Sequence, residues 1–246
     1  MKAFQTVRAL GPIDVQNIRR DPLLKWITIL PLLMALLSRS LLPMILQQAS
    51  TLMDFDLLPY YRPLMAYTLL ILTPMLTGMV IGFLLLDQRD DHTLSALQVT
   101  PLTLNGYLVY RLVTPSLASV VVTFIILPVS GLAPLSLPDL AGVALSGGLL
   151  SCLYALFIAA FASNKVQGFA ITKISGSILL PPVVAFFIPA GWRVIFGIIP
   201  TYWPGMLLWG LMDGQPAAWI NLPMGLVVQG LLLWLLLKRY NHVMKR

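Results

Sequence analysis

The sequence lacks the residues and motifs on which several kinds of catalytic and metal site depend. It contains one cysteine, Cys152, which excludes an intrachain disulfide and a cysteine-ligated metal cluster. Its two histidines, His92 and His242, are far apart and do not have the spacing of metal ligands. No Gly-x-x-x-x-Gly-Lys-Ser/Thr loop is present to hold nucleotide phosphates. We therefore expect no catalytic residues, no metal site and no cofactor bound by this chain.

Charged residues are also scarce, which indicates the surroundings in which the protein folds. Only 10% of the 246 residues are charged, and the nine acidic residues are all aspartates. Hydrophobic residues make up 58% of the chain and the mean hydropathy is +0.86, as in a membrane protein. The net charge of +7 does not indicate a nucleic-acid partner, because the basic residues lie at loop ends and form no face with interleaved aromatic residues. The expected surroundings are a lipid membrane.

The apolar residues fall into six runs. A helix needs about 20 residues to cross a hydrocarbon core of about 30 Å. The runs cover approximately residues 24–45, 64–86, 107–130, 140–162, 174–188 and 219–237. Pro181-Pro182 predicts a kink or break in the fifth run. The sequence thus predicts an all-α integral membrane protein, a single domain over residues 1–246 with an N-terminal segment (1–23), a six-helix membrane region (24–237) and a tail (238–246).

The basic residues predict how these spans are oriented. With six spans, all of the 16 lysines and arginines except Arg39, Arg62 and Arg193 lie on one side, which the positive-inside rule assigns to the cytoplasm. We therefore expect a multi-pass membrane protein with both termini in the cytoplasm. A seventh span within residues 191–215 would move the basic tail outside. That segment is interpreted as re-entrant or interfacial on the outer side, and a folded outer loop is the alternative.

One polar stretch, residues 87–102, interrupts the apolar sequence between the second and third runs. It begins with a cluster of charged side chains, and Leu94 and Leu97 then recur three residues apart before Pro101. Aspartates near a helix N-terminus satisfy free N–H groups, and a proline disfavours helical geometry in the residue before it. The stretch therefore predicts a short cytoplasmic helix outside the bilayer. A loop helix that only connects two spans is the alternative.

This stretch resembles the first cytoplasmic loop of the ABC type-2 transporter permeases. The family pattern is matched at Thr93, Leu94, Leu97, Thr100, Pro101 and Leu102. His92 stands where the family usually has glycine, and Ser95 where it often has an acidic residue. The resemblance implies that the stretch is a coupling helix that docks on an ABC ATPase subunit. The residues that it assigns to this contact are Asp87, Arg89, Asp90, Asp91, His92, Thr93, Leu94, Leu97, Thr100 and Pro101.

The resemblance also implies a bacterial inner membrane as the location, and the composition of an assembly. Two permease chains, identical or homologous, would meet at a substrate pathway, and two ATPase subunits would hold ATP and Mg²⁺ below them. The net event would be outward movement of a hydrophobic or amphipathic solute, drugs included. A haem-type or lipid-type ABC permease, a polytopic membrane enzyme and an assembly factor without an ATPase are the alternatives.

The N-terminal sequence is similar to a subgroup of this family. The similarity to permeases that export fluoroquinolones lies in two runs, Leu10-Gly11-Pro12-Ile13-Asp14 and Arg19-Arg20-Asp21-Pro22-Leu23-Leu24. Gly11-Pro12 predicts a helix start, and Asp14 near that start suits the helix dipole. We expect an interfacial helix, as in the elbow of type-2 permeases, or an ordinary basic tail beside the membrane.

Arg39 is the one full charge well inside an apolar run. A charge near the bilayer centre costs at least about 2.5–3.5 kcal/mol on insertion scales. At 1.5 Å per residue, Arg39 lies roughly 22 Å along the first helix from Leu24. Its side chain can therefore reach the outer interface or pair with Asp54 or Asp56. The alternative is a polar contact that lines a substrate pathway.

Overall fold

The computed structural model describes residues 11–90 and 104–244, without residues 13, 18 and 54–57. In this part of the chain every regular element is a helix, as predicted. The elements are α1 (Pro22–Met53), α2 (Leu58–Asp90), α3 (Leu104–Ser130), α4 (Leu137–Phe161), α5 (Lys165–Ser175), α6 (Leu180–Phe187), α7 (Ala190–Arg193), α8 (Tyr202–Met212) and α9 (Asn221–Met244). Short 3₁₀ turns lie between the later helices, and the described residues of 11–20 are also helical.

Six helical stretches are long and apolar enough to cross a membrane, which confirms the predicted number of spans. They are Leu24–Gln48, Pro59–Arg89, Val109–Ser130, Leu137–Phe161, Lys165–Phe187 and Pro216–Tyr240. The chain is therefore a multi-pass membrane protein. The end of the bundle that carries the α2–α3 connection and the α4–α5 connection is called the loop end below, and the opposite end is called the far end.

The second and fourth spans form the centre of the bundle. Their most apolar windows are 72% and 83% buried, whereas those of the first and last spans are 17% and 11% buried. The two central backbones approach closely at Gly78, where a Cβ atom would lie 2.4 Å from the carbonyl oxygen of Ser151. Small residues permit such contact between membrane helices. Gly142, one of the small residues of the fourth span, likewise leaves room for the Trp219 ring.

Helices α3 and α4 are antiparallel neighbours, as their short connection predicts. Gly131 adopts a φ of +65° in the turn, a conformation that side chains disfavour. Ser136 caps α4, where its hydroxyl accepts from the backbone N–H of Asp139 at 3.4 Å. Further along, the thiol of Cys152 donates to the carbonyl of Leu112 at 2.9 Å. The single cysteine therefore serves as a small packing residue.

The fifth span begins earlier than the sequence predicts. The fifth apolar run was predicted to begin at about residue 174, but α5 already begins at Lys165. Asn164 caps the helix by accepting from the backbone N–H of Gln167 at 3.0 Å. Hydropathy places the boundary too late because Lys173 is tolerated within the helix, where its side chain is exposed.

The predicted break at the two prolines is confirmed, and a residue that is distant in sequence supplies a hydrogen bond there. A 3₁₀ turn, Gly176–Leu179, separates α5 from α6. Pro182 lacks the N–H group that would bond to the carbonyl of Ile178 in a continuous helix. The hydroxyl of Thr201 donates to that carbonyl at 3.0 Å instead. The interrupted fifth span therefore depends on the segment that follows it.

That following segment, residues 190–220, contacts the middle of two spans. The carbonyl of Pro200 accepts from the side-chain amide of Gln229, in the last span, at 3.2 Å. The same amide donates to the carbonyl of Ser146, in the fourth span, at 3.1 Å. Trp203 closes the bend, because its indole N–H donates to the carbonyl of Gly197 at 2.7 Å. The bend at Pro200 thus lies beside α4 and α9 in the bundle.

Candidate functional site

The predicted coupling stretch is only partly described by the structure. Asp87 and Arg89 lie in the last turn of α2, and Asp90 ends that helix. The predicted residues Asp91, His92, Thr93, Leu94, Leu97, Thr100 and Pro101 lie outside the described residues. The docking surface therefore stays a prediction. The structure does describe the two helix ends that the stretch connects, Asp90 of α2 and Leu104 of α3.

Arg89 binds the end of the fourth span. Its Nη2 donates to the carbonyl of Ala162 at 2.8 Å, and its Nη1 to the carbonyl of Ala159 at 3.5 Å. The last carbonyls of a helix have no partner within the helix and carry partial negative charge, so a guanidinium satisfies both requirements. This contact fixes the end of α2 against the end of α4.

Lys165 connects three parts of the chain at the loop end. Its ammonium lies 3.0 Å from Asp87 at the end of α2 and 3.4 Å from Asp21, which precedes α1. All three side chains are about one-third exposed. We call Lys165, Asp21 and Asp87 the exposed ionic cluster. Sequence reasoning missed Lys165 and Asp21 because residues so far apart in the chain show no common pattern.

A side-chain contact ties the two ends of the coupling stretch to each other. Tyr107, near the start of α3, donates its phenolic hydrogen to the side-chain oxygen of Gln88, near the end of α2. Burial raises the pKa of Tyr107 above its usual value of 10.0, so the phenol stays protonated and remains a donor at physiological pH. The Nε of Arg111 donates to the same phenolic oxygen at 3.3 Å. The helix ends that precede and follow the stretch are therefore joined by a hydrogen bond.

Arg111 also holds the N-terminal segment. Its Nη1 lies 2.7 Å from the Oδ2 of Asp14, and Tyr110 donates to the same oxygen at 2.7 Å. The Arg111 side chain is 1% exposed and the Asp14 side chain 7%. We call Asp14, Arg111, Tyr107 and Tyr110 the buried ionic cluster. Asp14 thus serves chiefly as a buried ion-pair partner, which its position near a helix start did not reveal.

These contacts form a frame around the coupling stretch. The ends of α2 and α3 are joined to each other, α2 is joined to the end of α4 and the start of α5, and α3 is joined to the N-terminal segment. Asp21 extends the frame to α1, because its Oδ1 accepts from the backbone N–H of Leu24 at 3.4 Å. A displacement of the stretch would therefore move several spans together.

Arg39 lies at the far end, away from this frame. Its Nη1 donates to the carbonyl of Val129 at 3.2 Å, and the side chain borders a cavity of about 540 Å³ that Tyr61 and Arg62 also line. The contact with Val129 joins α1 to the end of α3. Asp54 and Asp56, the predicted partners, lie outside the described residues. Neither the anchoring role nor the pathway role of Arg39 is tested by these contacts.

Comparison with known proteins identifies the family. The family described as "Fluoroquinolones export permease protein Rv2686c-like" matches residues 14–237. Two relatives from Mycobacterium tuberculosis are the fluoroquinolones export permease proteins Rv2686c (strain ATCC 25618 / H37Rv) and MT2760 (strain CDC 1551 / Oshkosh). Each is 30% identical to the chain over 239 residues, which cover 96% of this chain and 94% of the relative. No solved structure matches the chain.

The family match begins at Asp14 of the buried ionic cluster and ends at Leu237 in the last span, so it includes the whole frame and the polar stretch within it. The predicted resemblance to fluoroquinolone-export permeases is thereby confirmed. The chain belongs to the Rv2686c-like family of fluoroquinolones export permease proteins.

Proposed function

We propose that this chain is the membrane-spanning permease subunit of an ATP-driven ABC exporter. The family membership and the six candidate spans support a transport subunit. The sequence contains no phosphate-binding loop, so ATP and Mg²⁺ bind a separate ATPase subunit. Two permease chains, either identical or homologous, complete the exporter. The proposed location is the inner membrane, and the distribution of lysine and arginine supports cytoplasmic termini.

The observation that carries this proposal is the frame at the loop end. A polar stretch that transmits the motion of an ATPase must be joined firmly to the spans that it moves. The bond between Tyr107 and Gln88 prevents the ends of the stretch from moving independently. Arg89 and Lys165 pass the displacement to α4, α5 and the start of α1.

The proposed substrates are hydrophobic or amphipathic solutes that move outward. The two relatives are named as exporters of fluoroquinolones, which supports drugs of that class as substrates of this chain. Both roles stay proposed for Arg39, an anchor at the outer interface and a polar contact in the substrate pathway, because its side chain bonds the carbonyl of Val129 and also borders a cavity.

We propose further that the segment between the fifth and sixth spans is re-entrant from the outer side. The bonds from Thr201 to Ile178 and from Gln229 to Pro200 support this placement, because both join the bend to residues well inside a span. The described residues 11–20 are proposed to lie on the cytoplasmic surface of the membrane. Val15 is 56% exposed, which supports a surface position for that segment.

The test replaces the apolar residues of the predicted docking helix. Leu94→Glu and Leu97→Glu each place a charge where the ATPase is expected to bind a leucine, which should abolish coupled transport while the protein still inserts. Drug export is measured in vesicles, and ATP hydrolysis and co-purification of the ATPase are measured on the same preparations. Leu137→Glu is the matched control, because Leu137 is 72% exposed at the far end of α4.

The outcomes separate coupling from folding. The proposal predicts that both loop variants are expressed at wild-type levels and lose export, whereas Leu137→Glu keeps export and ATPase binding. Normal export by both loop variants would exclude residues 94 and 97 as the docking surface. A chain that never co-purifies with an ATPase would contradict the proposed exporter itself.

A further inference from the structure

A cavity of about 370 Å³ opens on the side of the bundle between α4, the break in the fifth span and α9. Its walls are almost entirely apolar and include Tyr154, Phe157, Ile178, Pro200, Leu232 and Leu236. This volume lies within the range of small-molecule sites, which is about 300–1,000 Å³. Tyr154 contributes its ring, while its hydroxyl is buried and has no partner among the described residues. The walls therefore suit hydrocarbon and offer little for a polar ligand.

The cavity is accessible from the lipid-facing surface. Leu235 lines it and is also 53% exposed, and Leu231 and Trp234 on the same helix are 60% and 52% exposed. The bend at Pro200 closes the cavity toward the far end, about 10 Å along α9 from Leu236, as the bond between Pro200 and Gln229 shows. The space is thus a slot that runs along α9 from the loop end to the middle of the bundle.

Two cations stand at the loop end of this slot. Lys238 and Arg239 follow the lining residues of α9 by less than one turn, and both are exposed. The guanidinium of Arg239 lies 4.0 Å from the ring centre of Phe161, and that ring lies 4.9 Å from the ring of Phe157, which lines the slot. The ammonium of Lys238 lies 3.5 Å from the ring centre of Trp234. The Phe161 contact places Arg239 beside the slot, whereas Lys238 lies at the same end of α9 against Trp234, which is not a lining residue.

Neither cation is neutralised by a carboxylate within the described ranges 11–90 and 104–244. A pair of cations at the end of an apolar slot matches one kind of molecule in its surroundings, a lipid with an anionic headgroup and a hydrocarbon chain. We propose that this slot is a binding site for an anionic phospholipid. The phosphate lies against Lys238 and Arg239, and an acyl chain extends along Leu236 and Leu232 to Pro200.

Occupancy of the site links the lipid to the segment at residues 190–212. The end of the acyl chain contacts Pro200, and the neighbouring Thr201 satisfies the carbonyl that the proline break leaves free. The lipid therefore stabilises the bend and the interrupted fifth span together. A soluble phosphate lacks the chain and gains none of this contact.

The test measures lipid binding to the purified chain in detergent, without an ATPase and without transport. Phosphatidylglycerol and phosphatidylcholine with identical acyl chains are compared by native mass spectrometry and by the thermal unfolding midpoint. We expect phosphatidylglycerol to bind roughly tenfold or more tightly, because two cations contact its phosphate and no choline opposes them. Lys238→Gln with Arg239→Gln should abolish this preference.

Two further variants control for charge and for the slot itself. Lys25→Gln removes an exposed cation from the loop end of α1 and should leave the preference unchanged. Leu232→Trp fills the slot and should release both lipids. Glycerol phosphate, which has the headgroup without chains, should not compete with the bound lipid.

Three results would overturn the proposal. These are equal binding of the two lipids to the wild-type chain, a preference that survives in the Lys238/Arg239 double variant, and competition by glycerol phosphate. Displacement of the bound lipid by ciprofloxacin, with unchanged lipid preference in the double variant, would instead identify the slot as a drug site. Because no result depends on ATP hydrolysis, the outcome is independent of the proposed exporter function.

Discussion

The two ionic clusters at the loop end join similar parts of the chain but differ in their exposure to solvent. The Arg111 and Asp14 side chains are 1% and 7% exposed, whereas Lys165, Asp21 and Asp87 are 37%, 29% and 34% exposed. Both clusters attach the N-terminal part of the chain to a helix that borders the coupling stretch. The comparison therefore separates the effect of burial from the effect of position.

Burial makes the first cluster costly to disrupt. A buried charge that loses its partner retains the free-energy cost of its desolvation without compensation. Water and salt screen a partly exposed pair, so its loss costs less. Asp14 Oδ1 and Arg111 Nη2 have no hydrogen-bond partner within the described chain, so even the intact pair is incompletely compensated. We infer that the buried cluster fixes the conformation and that the exposed cluster is the weaker of the two connections beside the polar stretch.

Removal of Arg111 should have the largest effect. Arg111→Met leaves the Asp14 carboxylate buried beside Tyr110 without its cation, which should destabilise the fold by about 3–5 kcal/mol. The measurement is unfolding in detergent, followed by circular dichroism. Arg62→Met, which removes an exposed arginine at the far end, should change stability little. An equal effect of both substitutions would contradict the assigned role of the ion pair.

The matching double variant sharpens this test. Asp14→Leu combined with Arg111→Met removes both charges, and apolar replacement of a buried pair is often neutral or stabilising. We expect the double variant to recover most of the stability that Arg111→Met loses. If the double variant loses as much stability as the two single variants together, the interaction between Asp14 and Arg111 contributes nothing to the stability of the fold.

Gln88→Leu should have an intermediate effect. It removes the acceptor of the Tyr107 phenol, and a buried donor without a partner costs about 1–3 kcal/mol. Tyr107→Phe added to Gln88→Leu removes the unpaired hydroxyl but leaves the Nε of the buried Arg111 without its acceptor, so the pair should recover none of this loss. The same unfolding measurement tests both variants. Recovery of stability in the pair would contradict this and would indicate that Arg111 does not depend on the Tyr107 hydroxyl.

Lys165→Met should have the smallest effect on stability. Partly exposed ion pairs contribute about 0.2–1 kcal/mol, and the methionine retains much of the apolar stem. Raising the salt concentration to about 1 M should reduce the difference between Lys165→Met and the wild-type chain, because the Debye length falls to about 3 Å. The Arg111→Met difference should persist at that salt concentration. If salt instead reduced the effect of Arg111→Met and left that of Lys165→Met unchanged, the assigned difference in solvent exposure between the two clusters would be contradicted.

The spans could be predicted because hydropathy and length are properties of local sequence. The break at Pro181-Pro182 was also predicted, since proline restricts the backbone and lacks an N–H group wherever it occurs. The predicted start of the fifth span was wrong by several residues. A lysine inside a helix lowers the local hydropathy even where its side chain is exposed, as Lys173 is.

The contacts of the candidate site could be predicted much less well. Asp87 and Arg89 were predicted as residues of the ATPase contact, which stays a prediction, and their partners in the structure, Lys165 and Ala162, were not predicted. Asp14 was interpreted through the dipole of its own helix, and its ion pair joins positions 97 residues apart. No periodicity in the sequence reports a contact over that separation.

The sequence by itself determined that this protein has six apolar spans, a polar stretch after the second and a family in which both features occur. Only the tertiary structure decided that the second and fourth spans are central, that Arg111 pairs with Asp14, and that a slot opens between α4 and α9. Hydropathy measures transfer out of water, and a lipid tail and a leucine side chain are equally apolar surroundings. Which spans face lipid and which face protein therefore depends on shape and on small residues such as Gly78, where helices pack closely.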